Sequence, residues 1–329
     1  MTAAPGALMA AEIAEQPAAL ARLLAAAGEV REVAAAVSRR RPRFVLLAAR
    51  GSSDHAALYA KYLAEIRLAL PAGLASPSVT TLYGARQDLA DVLFVAVSQS
   101  GGSPDLVDST DAARRSGALT VAVTNDPGSP LAGVAELVVP LHAGEERAVA
   151  ATKTYTAELL ALYLLLGGPD APRRAAALPD AARRALDESP AAGADRYRYA
   201  DRLIIVGRGY SYPTAREGAL KLMETSYLAA QAFSAADLAH GPVAMADAAV
   251  PVIAVVPGGP AAASVGELVA RLRAGGTDVL TLRAADGVAD ELRPVLEILP
   301  LQRLAWKLAL DRGGDPDRPR GLAKVTRTR

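Results

Sequence analysis

The segment LAARGSSDHAALYAKYLAE (47–65) aligns without a gap with IVGRGYSYPTAREGALKLME, which starts at Ile205. In both, an apolar run ends in Arg-Gly (Arg50-Gly51 and Arg208-Gly209). A serine follows two residues after each glycine (Ser53 and Ser211), and a stretch with helical spacing comes next. Any strand-to-helix turn favours Gly and Ser, which accounts for part of the similarity. Two copies of one α/β unit explain the rest better than one long fold.

Apolar runs alternate with helical stretches around these anchors. RFVLLAA (43–49), DVLFVAVS (91–98), LTVAVTN (119–125) and AELVVPL (135–141) predict strands in the first copy. RLIIVGRG (202–209), VPVIAVVPGG (250–259) and DVLTLRAAD (278–286) predict strands in the second. Strands that are apolar throughout belong in a parallel sheet covered on both faces. The expected fold class is therefore α/β, with two tandem domains, each a mostly parallel sheet between helices. Residues 8–38 read as one or two helices, with Pro17 tolerated in a first turn. Residues 168–200, rich in Ala, Pro and Arg, read as an interdomain helix with flexible ends. The expected organisation is an N-terminal helical segment (1–38), a first domain (39–168), a linker (169–200) and a second domain (201–329).

Composition narrows the partners. Thirty-six basic and 35 acidic residues leave a net charge of +1, so no whole-protein field draws nucleic acid or membrane. The run RRRPR (39–43) precedes a strand and reads as a solvated loop. The sequence holds no cysteine, which excludes disulfides, thiolate nucleophiles and Cys-based metal sites. The start of the chain lacks the basic region of a secretory signal. The apolar segment AELLALYLLLGG (157–168) is broken by Glu158 and falls short of the ~20 residues that span a bilayer. A soluble cytoplasmic protein is expected, without nucleic-acid or membrane partners.

In a parallel α/β sheet, ligands sit beyond the carboxyl ends of the strands. RGSSD (50–54) and SQSGGS (98–103) both fall there, each just before a helix. A helix N-terminus offers unpaired N–H groups and partial positive charge, which suit an anion. Hydroxyls add donors, and Gly lets the backbone come close. Ser52, Ser53, Ser98, Gln99, Ser100 and Ser103 can together wrap one phosphate. Serines at such turns also act as helix N-caps. Neither loop has the Lys of a triphosphate-binding loop or the G-x-G-x-x-G of a dinucleotide site.

In the second copy, REGALKLMETSY (216–227) is helical and sets Glu217, Lys221 and Glu224 on one face. An exposed salt-bridged stripe is the plain reading of that pattern. DLAHGPVAM (237–245) places His240 before Gly-Pro, on a turn. Its near-neutral titration suits proton transfer. The tail RPRGLAKVTRTR, with Lys324, reads as solvated. The histidines at 55, 142 and 240 lie far apart, and no metal site is expected.

SQSGGSPD, VAATKTYT (149–156), EGALKLMETSY, DLAHGP and GLAKVT stand in this order and together resemble the sugar isomerase (SIS) family. The resemblance runs from EIAEQP to Lys324 and is nearest to the isomerase part of glucosamine-6-phosphate synthase and to stand-alone glucosamine-6-phosphate deaminases. It implies two Rossmann-like α/β/α domains. It implies that Ser53, Ser98, Gln99, Ser100 and Ser103 bind a phosphate, that Ser52 meets the sugar, and that the backbone at Val149 and Ala150 lines it. Glu224 would move a proton between C1 and C2, with Lys221 its neighbour one turn earlier. His240 would open the sugar ring from the neighbouring subunit of a homodimer, and Lys324 would lie near the reacting carbons. No metal or redox cofactor is called for.

The departures carry information. The synthase begins with a glutamine-hydrolysing domain built on an N-terminal Cys, and this chain is expected to lack it. Arg50 stands where the synthase has Cys, Ala239 where it has Lys, and Ala151 where it has Ser. These differences look like the deaminases, which release ammonia and form fructose 6-phosphate. The alternatives are a deglycase of fructosamine 6-phosphates, ammonia-dependent synthesis, and a non-catalytic sugar-phosphate sensor. A sensor would be expected to lose the Glu, His and Lys set, which this sequence retains.

Overall fold

The computed structural model describes residues 4–188, 194–283 and 287–324. They form two compact units. One takes residues 18–146 and 153–176 with the chain from Ala323, and the other takes residues up to Pro17, 147–152 and 177–322.

The first unit is built on five parallel strands: β1 (Phe44–Ala48), β2 (Ala72–Leu74), β3 (Val92–Val97), β4 (Leu119–Thr124) and β5 (Leu137–Pro140). Their order is β2-β1-β3-β4-β5. Register is plain at the centre, where Val45 pairs with Leu93 and Val95 with Val121. Every residue of β4 is buried, and so is all of β3 after Val92. Both faces are covered, which is why these strands do not alternate with polar residues. On one face, Ala48, Phe94 and Ala96 pack with Leu106 and Ala113 of the helix Pro104–Arg115 and with Leu131. The helices Ala27–Arg40, Ser52–Arg67 and Lys153–Leu166 pack together. Lys153–Leu166 is buried at every residue, so the Glu158-broken apolar run is a core helix and needs no polar face.

The second unit repeats the plan with four parallel strands: β6 (Arg202–Gly207), β7 (Ala229–Ser234), β8 (Val252–Val255) and β9 (Val279–Leu282). The order β7-β6-β8-β9 matches β2-β1-β3-β4. Val206, Val252 and Ala254 pack with Val265, Leu268 and Leu272 of the helix Ala262–Ala274. The helix Ser211–Ser226 packs against Arg293–Asp311. The start of the chain is fastened into this unit: Leu8 and Met9 N–H donate to the Asp317 carboxylate at 2.9 and 2.8 Å. That carboxylate satisfies two of the orphan donors at the start of the helix Ala7–Ala25. Gln16 Nε2 donates to Gln302 Oε1 at 2.8 Å, with both side chains buried.

The two-sheet α/β architecture is the one expected. Some elements differ. β2 and β7 escape sequence reading because the first is three residues long and the second, AAQAFS, exposes Ala229 and Gln231 on a sheet edge. The expected linker helix is three short helices, Ala171–Ala175, Leu178–Glu188 and Ala194–Tyr197, and residues 189–193 lie outside the described residues. So do residues 284–286, the end of the last expected strand. Pro17 lies inside the helix Ala7–Ala25 and not in its first turn. Arg39 and Arg40 of the basic run end the helix Ala27–Arg40, which suits the negative end of its dipole. Among the described residues, no helix is long and apolar enough to cross a membrane.

Candidate functional site

β1 sits between β2 and β3, so the turns leaving the carboxyl ends of β1 and β3 are neighbours. The helices they feed, Ser52–Arg67 and Pro104–Arg115, go to different layers, and the crevice between such turns is where open α/β sheets bind ligands. Gly51 is the N-cap of the first helix, with φ +58° and ψ −133°, a conformation that only glycine takes readily. Ser52 and Ser53 are therefore inside the helix and are not its caps. Ser53 is buried, and its Oγ donates to Glu158 Oε1 at 2.7 Å.

The second turn is organised by its own hydroxyls and by β4. Gly101 N–H donates to Ser98 Oγ at 3.2 Å, and Gly102 N–H to Ser100 Oγ at 3.3 Å. The Gln99 carbonyl accepts from Asn125 N–H at 3.1 Å and from Thr124 Oγ1 at 3.3 Å. Gly101 has φ +58°, and a Cβ there would stand 2.0 Å from Ser129 Oγ. Ser103 occupies the N-cap position of Pro104–Arg115, yet its side chain makes no cap hydrogen bond. The N-cap reading thus fails for Ser52, Ser53 and the Ser103 hydroxyl.

In the sequence, Arg50 is part of the repeated Arg-Gly turn and a departure from the synthase, with no partner indicated. The structure gives it a partner: Arg50 Nε and Nη2 both lie 2.9 Å from Asp105 Oδ2. The pair ties the first turn to the helix after the second and sets a half-exposed guanidinium beside both. Only the spacing-blind pairing of residues 50 and 105 in the fold reveals it.

The repeat keeps these turns in the second unit but not their chemistry. Gly209 (φ +57°) corresponds to Gly51, and Gly259 (φ +56°) to Gly101. Val256, Pro257 and Gly258 then stand where the first unit has Ser98, Gln99 and Ser100. Asp290, ion-paired with Arg293 at 3.2 Å, crowds this turn: a Cβ on Gly258 would lie 2.1 Å from Asp290 Oδ1. Of the two turns, the hydroxyl-lined one belongs to the five-stranded unit.

The four-stranded unit supplies a different group. Lys221 Nζ lies 2.6 Å from Glu224 Oε2 and 3.4 Å from Glu217 Oε1. Lys221 and Glu217 are fully buried, and Glu224 is 21% exposed. The expected exposed stripe is therefore a buried row that ends in one part-exposed side chain, Glu224. The helix stops at Tyr227 (φ +57°), whose ring carries the Arg320 guanidinium at 4.0 Å and whose hydroxyl accepts from Arg320 N–H at 3.0 Å. His240 caps the short helix Ala235–Ala239 and is exposed. Its Nδ1 lies 2.7 Å from the Ala236 carbonyl oxygen. A carbonyl only accepts, so Nδ1 carries a proton and Nε2 is the ring nitrogen left to exchange one. Among the described residues, no hydrogen bond joins His240 to Glu224. Val149 and Ala150 lie in the segment 147–152, which Glu12 holds by accepting from Arg147 and Ala148 N–H.

Lys324 is not a solvated residue. Its Nζ lies 3.1 Å from Glu146 Oε2, a fully buried carboxylate that also accepts from Thr154 N–H at 3.1 Å, both within the five-stranded unit. Glu146 was not singled out in the sequence, and GEER (144–147) gives no signal of it. Glu297 was also missed. Burial pushes its carboxyl up to about 7, against the pull of the Ser211 hydrogen bond and the Arg293 charge.

The SIS domain family model matches residues 40–167 and 197–288, one stretch over each sheet. The chain belongs to the SIS domain family. It is 36% identical over 296 residues to the glutamine–fructose-6-phosphate aminotransferase of Methanothermobacter thermautotrophicus, covering 83% of this chain and 50% of the relative. The chain spans about half the length of the curated relatives it matches. Among solved structures, a candidate phosphosugar isomerase from Silicibacter pomeroyi matches with TM-score 0.86 and 36% identity, over 94% of this chain and 99% of that one. The C-terminal domain of the Francisella tularensis glucosamine-fructose-6-phosphate aminotransferase matches with TM-score 0.81 and 26% identity, over 95% and 98%.

Proposed function

We propose that this chain interconverts amino-sugar and keto-sugar phosphates, and that it takes glucosamine 6-phosphate and water to fructose 6-phosphate and ammonia. The observation that carries this reading is the Glu217–Lys221–Glu224 row, in which part-exposed Glu224 has one carboxylate oxygen held at 2.6 Å by a buried ammonium. A carboxylate fixed in this way suits a proton shift between adjacent carbons.

The turns at Ser52–Ser53 and Ser98–Ser103 hold the phosphate and fix the orientation of the sugar. His240 Nε2 takes a proton during ring opening, and in a homodimer that histidine comes from the neighbouring subunit. Glu224 then removes the C2 proton of the open-chain aldehyde and returns it to C1. The amine-bearing C2 becomes an imine, to which water adds as ammonia leaves. Lys221 keeps the Glu224 carboxylate in place through both transfers, and Lys324, fixed by Glu146, stands near the reacting carbons. Val149 and Ala150 offer backbone to the sugar.

The aminotransferase relatives favour a second reading, in which the same residues run the chemistry from fructose 6-phosphate and ammonia toward the amino sugar. Both directions are tested together. Pure protein is given glucosamine 6-phosphate, or fructose 6-phosphate with ammonium, and ammonia and both sugars are followed. Equal release of ammonia and fructose 6-phosphate supports the first reading, and consumption of ammonium supports the second. Inertness in both assays, with the sugar phosphates still bound, refutes both.

A further inference from the structure

Each unit ties a buried serine at the start of one helix to a buried carboxylate on the helix packed against it. Ser53 Oγ donates to Glu158 Oε1 at 2.7 Å, and Ser211 Oγ donates to Glu297 Oε1 at 2.9 Å. Glu158 is 1% exposed and Glu297 2%. The repeat thus reproduces the pair, but only Ser53 has a turn of hydroxyls as its neighbour, because Val256, Pro257 and Gly258 replace Ser98, Gln99 and Ser100 in the other unit.

A serine hydroxyl has one proton and two lone pairs. While Ser53 gives its proton to Glu158, it has none for an anion oxygen, and its lone pairs remain to accept. The other hydroxyls and N–H groups there can donate. We infer that Glu158 is a positioning residue that makes Ser53 the acceptor within the phosphate cradle, so that the cradle selects an oxyanion carrying an O–H over one carrying none. This rests on the reading of Ser53 as part of that cradle. Inorganic phosphate keeps a P–O–H at neutral pH, whereas sulfate has no proton to give. A phosphate monoester meets the acceptor in its singly protonated form.

The experiment compares inorganic phosphate with sulfate as ligands of the whole protein, at one pH and ionic strength, by calorimetry. Wild type is expected to prefer phosphate by about tenfold or more, the effect of facing an acceptor with an oxygen that cannot donate. Glu158→Gln keeps the size of the side chain but lets its amide N–H donate to Ser53 Oγ, which turns the serine proton toward the ligand. Sulfate should gain, and the preference should fall to about threefold or less. Ser53→Ala removes the acceptor without touching Glu158 and should also lower the preference. A purely structural Glu158 would shift both affinities together and leave their ratio alone. An unchanged ratio in folded Glu158→Gln or Ser53→Ala protein overturns the inference. Ser98→Ala/Ser100→Ala separates the two levels. If that variant binds both anions as wild type does, the cradle reading falls and takes this inference with it. If it loses both anions while Glu158→Gln keeps the wild-type ratio, only the role of Glu158 falls.

Discussion

Lys221 and Glu224 lie one turn apart, yet one is sealed and the other reaches solvent. A spacing of i, i+4, i+7 fixes that the three residues share a face, and it cannot say whether the face is wet. Packing of the helix against Arg293–Asp311 decides that, through residues some 80 positions away such as Ala305, which accepts from Thr225 Oγ1. Lys221→Met removes the cation between two carboxylates and should cost about 3–5 kcal/mol of stability by urea denaturation. A loss below about 1 kcal/mol would mean that water already screens the row. Glu297 makes a pH prediction. Its carboxyl is near 7 in the folded protein and near 4.5 when unfolded, so the folded state binds the proton more tightly. That contribution is present in full at acid pH and is lost as pH rises through 7. Stability should therefore fall by about 3 kcal/mol from this group between pH 4.5 and 8. Glu297→Gln should flatten the profile between pH 4.5 and 8. An equally steep fall in the variant would assign the slope to other groups.

At the scale of elements, the turns after β1 and β3 show what glycine does. Gly51 and Gly101 share φ +58°, but a Cβ on Gly51 meets nothing within 4 Å while one on Gly101 runs into Ser129. Both Gly→Ala changes carry the backbone strain. Gly101→Ala adds a clash and should be the more destabilising by about 1–3 kcal/mol. Equal midpoints for the two variants would show that the Ser129 contact yields. The apolar runs of β1, β3, β4, β6 and β8 were legible because buried parallel strands need no other signal. β2 and β7 were not: β2 is only three residues long, and β7 reads AAQAFS, with no run of β-branched residues. The pairs Arg50–Asp105, Ser53–Glu158 and Lys324–Glu146 were invisible because each joins residues 55 to 178 positions apart that only the fold brings together.

On the scale of the whole molecule, the internal repeat anticipated the two sheets, down to matching strand order and matching positive-φ glycines. It also separates what the two copies do. One turn keeps hydroxyls, and the other has exchanged them for Val, Pro and Gly with Asp290 against them. The other unit instead carries the buried lysine and its carboxylates. Isotope exchange tests whether Glu224 moves a proton between C1 and C2. Wild type and Glu224→Gln are incubated with glucosamine 6-phosphate in D2O, and the C1 and C2 hydrogens are followed by NMR, with binding checked in parallel. This mechanism predicts that the C2 hydrogen of the substrate appears at C1 of the fructose 6-phosphate made by wild type, replaced by deuterium to the extent that the Glu224 proton exchanges with D2O before it is returned. It predicts that Glu224→Gln binds the sugar phosphate as before but exchanges and converts it at least about 100-fold more slowly. Exchange at the wild-type rate in that variant would remove Glu224 from the chemistry.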